Sequence, residues 1–218
     1  MRFDIKGNPS YGEADVDLGP NETILIEPGA MSRMSSNLNS SFQRQGGFFS
    51  AMFRKMFGGE SFFLGKYEHP DGGKLTFAPA SPGSVQHYKL SNNNINIMAG
   101  AFLACTPEVN VKAKFGGFKA FFSGEGAFLL EVFGNGDLFF NSFGGIVEKE
   151  INGDFIVDTG HVVAFEPSLN YKISGMGNWK STMLSGEGLV MTFSGVGKIY
   201  LQTRTIDGIA SWLTPRLI

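Results

Sequence analysis

The sequence predicts an all-β fold, a sandwich or β-helix-like wrap made as a single domain of three tandem units. Three observations lead there. Thirty glycines and 22 phenylalanines stand among 218 residues of which only 17% are charged; phenylalanine favours half-buried pleated surface, and glycine supplies the reversals between strands. A phrase beginning Gly-Glu recurs, clearly at Gly124-Glu125 and Gly186-Glu187 and more faintly at Gly59-Glu60. Upstream of each copy lies a second recurring phrase, "NETILIEPGA", "GAFLACTPEV" and "GHVVAFEPSL".

Taken in order, these phrases define the elements. Pro28, Pro107 and Pro167 close the upstream phrases. A proline cannot donate to a β ladder, so each is expected to end its strand in the same way. Downstream, the segments "HPDGG", "GNG" and "SGVG", ending at Gly73, Gly136 and Gly197, sit between apolar runs and are expected to turn hairpins. Pro107 to Glu125 spans 18 residues, Pro167 to Glu187 spans 20, and Pro28 to Glu60 spans 32, so the first unit carries an insertion. The units run over about 1–79, 80–140 and 141–204, with a tail at 205–218. "AFLLEVF" is apolar on both alternating faces, the mark of a strand covered on two sides.

Two short helices are expected beside the strands. In the insertion, Phe48, Phe49, Met52, Phe53, Met56 and Phe57 recur at spacings of three and four between the pairs Gly46-Gly47 and Gly58-Gly59. In the tail, a helix is expected from about Asp207 to Leu213, stopped by Pro215.

Charge and residue chemistry narrow the function. A net charge of −2 offers no field for a polyanion, so no nucleic acid is expected, and Lys112, Lys114 and Lys119 read as a solvated strand edge. The single cysteine, Cys105, allows no intramolecular disulfide and reads as a buried hydrophobe. The N-terminal residues lack the apolar region of a signal peptide and no run of 18 apolar residues occurs; the expectation is a soluble, cytoplasmic protein. His69, His87 and His161 show no metal-ligand spacing, and "SGEG" lacks the central serine of a nucleophile elbow. Glu60, Glu125 and Glu187 occupy equivalent places and are read as local backbone acceptors rather than as converging carboxylates. His69 reads as a turn residue and His161 as a strand residue. No cofactor, metal or catalytic set is therefore expected. The apolar stripe Phe48–Phe57 is the candidate interaction surface, for its own core, a sister subunit, a protein partner or a peripheral membrane contact. The expected function is a non-enzymatic scaffold or interaction module that self-associates as a homo-oligomer. The alternative is a binder of small molecules or nucleic acid in a cleft between units.

The segments "FAPASPGSV", "GAFLACTP", "VDTGHVVAFEP" and "SGEGLVMTFSGVGKIYLQTR" occur in this order. From about Phe3 to Arg204 the chain resembles the family of the mitochondrial biogenesis protein named for altered inheritance of mitochondria. The resemblance implies a fold compared with that of the tryptophan RNA-binding attenuation protein. It brings no catalytic residues, and it leaves the inner-membrane role of the mitochondrial member as an analogy.

Overall fold

The apolar runs pair as antiparallel strands, seen in a computed structural model that describes residues 1–44, 63–115, 128–175 and 189–217. The inserted stripe Phe48–Phe57, together with Glu60, Glu125, Glu187 and Lys119, lies outside the described residues. The first third holds seven short strands: β1 (Arg2–Lys6), β2 (Glu13–Leu18), β3 (Thr23–Ile26), β4 (Met31–Met34), β5 (Asn39–Arg44), β6 (Phe63–Glu68) and β7 (Gly73–Phe77). The middle third runs β8 (Val85–Met98), a 3-10 turn, β9 (Phe102–Cys105), β10 (Val109–Phe115) and β11 (Phe128–Asn141). The last third follows the same order: β12 (Ile146–Asp158), a 3-10 turn, β13 (Val162–Phe165), β14 (Asn170–Gly175) and β15 (Leu189–Gln202).

These strands form two sheets. One has the order β1-β2-β7-β4; the other runs β12-β15-β13-β8-β11-β9-β3-β6-β5, with β10 added on β11 and β14 on β15. In the middle and last thirds the long first strand pairs with the long last one, β8 with β11 and β12 with β15. The first third departs from that plan, because its strands divide between the two sheets.

Each proline stands two residues beyond a strand end, after β3, β9 and β13. In each case a backbone N–H closes a tight turn around the proline: Ala30 onto the Glu27 carbonyl, Val109 onto Thr106, and Leu169 onto Glu166. The glycine segments behave otherwise than expected. "GNG" and "SGVG" turn no hairpin; they lie inside the unbroken strands β11 and β15. "HPDGG" does turn the chain, but β6 and β7 then join different sheets. The reason lies in packing against the proline turns. A side-chain carbon at Gly134 would stand 2.5 Å from the Glu108 carbonyl oxygen, and one at Gly136 would stand 2.2 Å from Thr106 Oγ1. Gly197 likewise faces Ser168 Oγ at 2.5 Å. Gly134 and Gly195 also take φ of 126° and 118°, open to glycine and strained for other residues. In the middle and last thirds the two recurring phrases are thus one contact, the proline turn seated on the bare backbone of the glycine strand, whereas Gly73 of the first third lies against Leu38.

The short strands β9 and β13 are buried along their full length, as is β3 beyond Thr23. Their side chains divide between opposite sides of the sheet, so they act as walls shared between cores. Ile24, Ile26, Leu103, Ala104 and Phe139 pack with Val16, Leu75 and Phe77 of the four-stranded sheet. Leu25, Cys105, Leu130, Leu138 and Phe140 enter a central core with Val163 and Tyr200. Leu129, Val162, Phe165, Met191 and Phe193 form the third. The two-sided apolar run of β11 is explained directly, since Leu129 and its neighbour Leu130 serve different cores. Edge-on ring pairs knit each core: Phe77–Phe139 at 5.3 Å, Phe140–Tyr200 at 5.4 Å and Phe165–Phe193 at 5.0 Å. Such pairs add about 0.5–1.5 kcal/mol beyond area burial.

The tail helix, α1, spans Ile206–Leu213 and is followed by a 3-10 turn at Thr214–Arg216. Thr205 caps it by accepting the Gly208 N–H at 3.0 Å.

Candidate interaction site

Few described side chains gather into anything resembling chemistry. Among the described residues no group of three or more His, Cys, Asp and Glu is placed to hold a metal. Cys105 is wholly enclosed, and burial pushes its thiol up to about 12, so it holds its proton at neutral pH. His69 sits in its turn, with Nδ1 accepting the Asp71 N–H at 3.1 Å. His161 stands in the 3-10 turn before β13 rather than in the strand, with Nδ1 2.7 Å from the Gln202 carbonyl.

His87 joins a polar cluster that the sequence did not announce. Its Nε2 lies 2.8 Å from Asp137, which Lys89 also approaches at 3.1 Å. Burial works to raise the Asp137 carboxyl, but hydrogen bonds from His87 and Lys89 outweigh it and hold the group below its ordinary range. The imidazole is flanked by Phe3 at 4.3 Å and Phe139 at 5.2 Å. No described hydroxyl or thiol is hydrogen-bonded to the ring, so the pair lacks a nucleophile to activate. It is a structural tie between β8 and β11, invisible in sequence because its members lie fifty residues apart.

A concavity of about 580 Å³ opens on the outer face of the four-stranded sheet, lined by Arg2, Asp15, Arg33 and Lys74 among others. Its charges largely answer one another. Arg2 meets Asp17 at 2.7 Å, Arg33 clamps Glu13 at 2.7 and 2.9 Å, and Lys6 bonds Asp15. Such cross-strand pairs on a solvent face contribute little each, about 0.2–1 kcal/mol.

The open apolar surface lies elsewhere. Helix α1 has no buried residue. Ile206, Ile209, Trp212 and Leu213 fall on one stripe, with Leu217 beyond; Ile206, Trp212 and Leu217 are 62%, 58% and 74% exposed. Asp207, Ser211 and Thr214 occupy the other face. Exposed Val147 and Ile156 add apolar surface on β12. The sequence disclosed this helix but not its isolation, because an amphipathic pattern does not say whether its own core receives it. The sequence-derived stripe Phe48, Phe49, Met52, Phe53, Met56 and Phe57 adds to this reading only as an expectation, being outside the described residues.

Fold and surface define an all-β protein whose described residues leave apolar surface open on α1 and β12. The chain belongs to the family described as Mitochondrial biogenesis AIM24, whose model matches residues 3–204. It is 31% identical, over 98% of its own length and 90% of the other's, to an uncharacterized protein of Streptococcus pyogenes. An X-ray crystal structure of a Streptococcus pyogenes protein is similar too, with a TM-score of 0.81, 29% identity and 99% of each chain covered. No described helix is long and apolar enough to cross a membrane.

Proposed function

We propose that this protein is a non-enzymatic, cytoplasmic scaffold or protein-interaction module that self-associates, built from three β units related by an internal repeat. One observation carries the reading: α1 stands away from its own body with an open stripe of Ile206, Ile209, Trp212 and Leu213. Apolar surface so presented is favoured when another surface covers it, at about 25 cal/mol per Å² removed from water. The stripe Phe48–Phe57 is proposed to serve the same assembly, and nucleic acid and cofactors have no part in it.

Light scattering across a concentration series tests this. The wild-type particle is expected to exceed one chain in mass. Ile209→Asp combined with Trp212→Asp should lower the mass while circular dichroism keeps its β signature, and Phe49→Asp with Phe53→Asp should do the same. A wild-type particle of single-chain mass at every concentration overturns the reading.

A further inference from the structure

We propose that copies of this chain join edge to edge, with β12 of one copy pairing against β10 of the next and extending the large sheet. The inference rests on the self-association proposed above and adds to it a contact separate from that of α1. Strand β12 is 13 residues long, pairs with β15 along one side, and meets no described strand on the other. Its core-side residues Ile151 and Val157 are buried. The opposite face carries Glu148, Glu150, Asp154 and Asp158. Lys198 answers Glu148 at 2.7 Å. Glu150 has no ion pair with a described residue.

That acidic face disfavours most pairings of β12 with itself. Antiparallel neighbours that keep their core faces on one side must oppose residues of the same face. Each register from Glu148 opposite Glu150 through Glu150 opposite Asp158 sets at least one carboxylate against another, whereas sliding on to Asn152 opposite Asp158 sets none. Like charges directly opposite are destabilising.

Strand β10 presents the complement. It pairs with β11 on one side only among the described strands. Val109 is buried and Val111 half-buried on its core side, while Asn110, Lys112 and Lys114 take the other face. Lys114 bonds Glu131 at 3.0 Å; Lys112 has no ion pair with a described residue. Setting Val111 opposite Ile151 aligns the core faces. That single choice places Lys112 opposite Glu150, Lys114 opposite Glu148 and Asn110 opposite Asn152. Sliding by two residues in either direction leaves one Lys–Glu pair. Edge strand β1 also carries two cations, but Arg2 and Lys6 are already held by Asp17 and Asp15 across β2. Joining two different edges is a head-to-tail contact, which closes as a ring or runs on as a filament.

Charge exchange tests the pairing, read as particle mass by light scattering with thermal melts as a check on folding. Lys112→Glu and Glu150→Lys should each raise the concentration needed for assembly by about tenfold or more, since like charges meet at the contact. K112E keeps a native β12 edge and E150K keeps a native β10 edge, and their two exchanged edges complement each other, so mixing the two should recover assembly with the chains alternating. The chain carrying both exchanges should recover wild-type assembly, and R2E should assemble normally. If a charge reversal unfolds the chain, Lys112→Gln and Glu150→Gln provide the same comparison, with smaller shifts expected. Wild-type assembly that ignores both exchanges, or that R2E abolishes, overturns the β10–β12 contact and leaves self-association standing. A wild-type chain that never assembles overturns both.

Discussion

Three residues that precede the turn prolines show how one local motif diverges. Glu166 accepts the Lys198 N–H through Oε2 at 2.9 Å, and Thr106 accepts the Asp137 N–H at 3.0 Å. In the first third, the corresponding Lys74 N–H donates to Ser35 Oγ instead. Glu27 is left without a side-chain partner among the described residues, and burial pushes its carboxyl up to about 7. A carboxyl whose folded pKa exceeds its unfolded value favours the folded state most at low pH. Stability should therefore fall as pH rises from about 4.5 through 7, then level off, by roughly 1–3 kcal/mol. Glu27→Gln should remove that slope in urea melts taken at pH 5 and pH 8; a parallel slope in the variant would sink the assignment. The glycines make a second test. Gly136→Ala would drive a methyl into Thr106 Oγ1, which is β-branched and already bonded to Asp137. It should cost about 1–3 kcal/mol in chemical denaturation. Gly197→Ala meets the freer Ser168 hydroxyl and should cost less.

At the level of elements, the decisive contrast is between walls and appendages. Strands β3, β9 and β13 supply two cores at once, whereas α1 supplies none. Helical stability without packing depends on caps and propensity, which are marginal at this length. Thr205→Ala removes the cap of α1 and should cost that helix about 0.5–2 kcal/mol. Because nothing of α1 is buried in the β body, the helical circular dichroism signal should drop while the melting temperature of a dilute, unassembled sample stays put. A fall in melting temperature would mean that the helix packs on its own chain. Edge strands follow the same logic. The acidic face of β12 suits a basic neighbour better than most pairings with its own kind.

Across the whole molecule, the plan was legible to the extent that it is local. Phenylalanine and glycine abundance fixes a strand-rich chain, unbroken apolar runs mark strands with two buried faces, and proline bars a ladder from continuing; each acts over a few residues. Pro28, Pro107 and Pro167 therefore end strands as expected, and Thr205 to Pro215 frames a helix where the pattern places it. The glycine segments misled because a glycine that permits a reversal and one that permits close approach look alike along the chain. Only the tertiary structure distinguishes them, by bringing Thr106 and Ser168 onto Gly136 and Gly197. The same holds for His87 with Asp137, for the edges of β10 and β12 that no described strand pairs, and for the bare stripe of α1. Sequence specifies which face of an element is apolar or charged; what meets that face is set by contacts between residues far apart in the chain, which appear only when the sheets assemble.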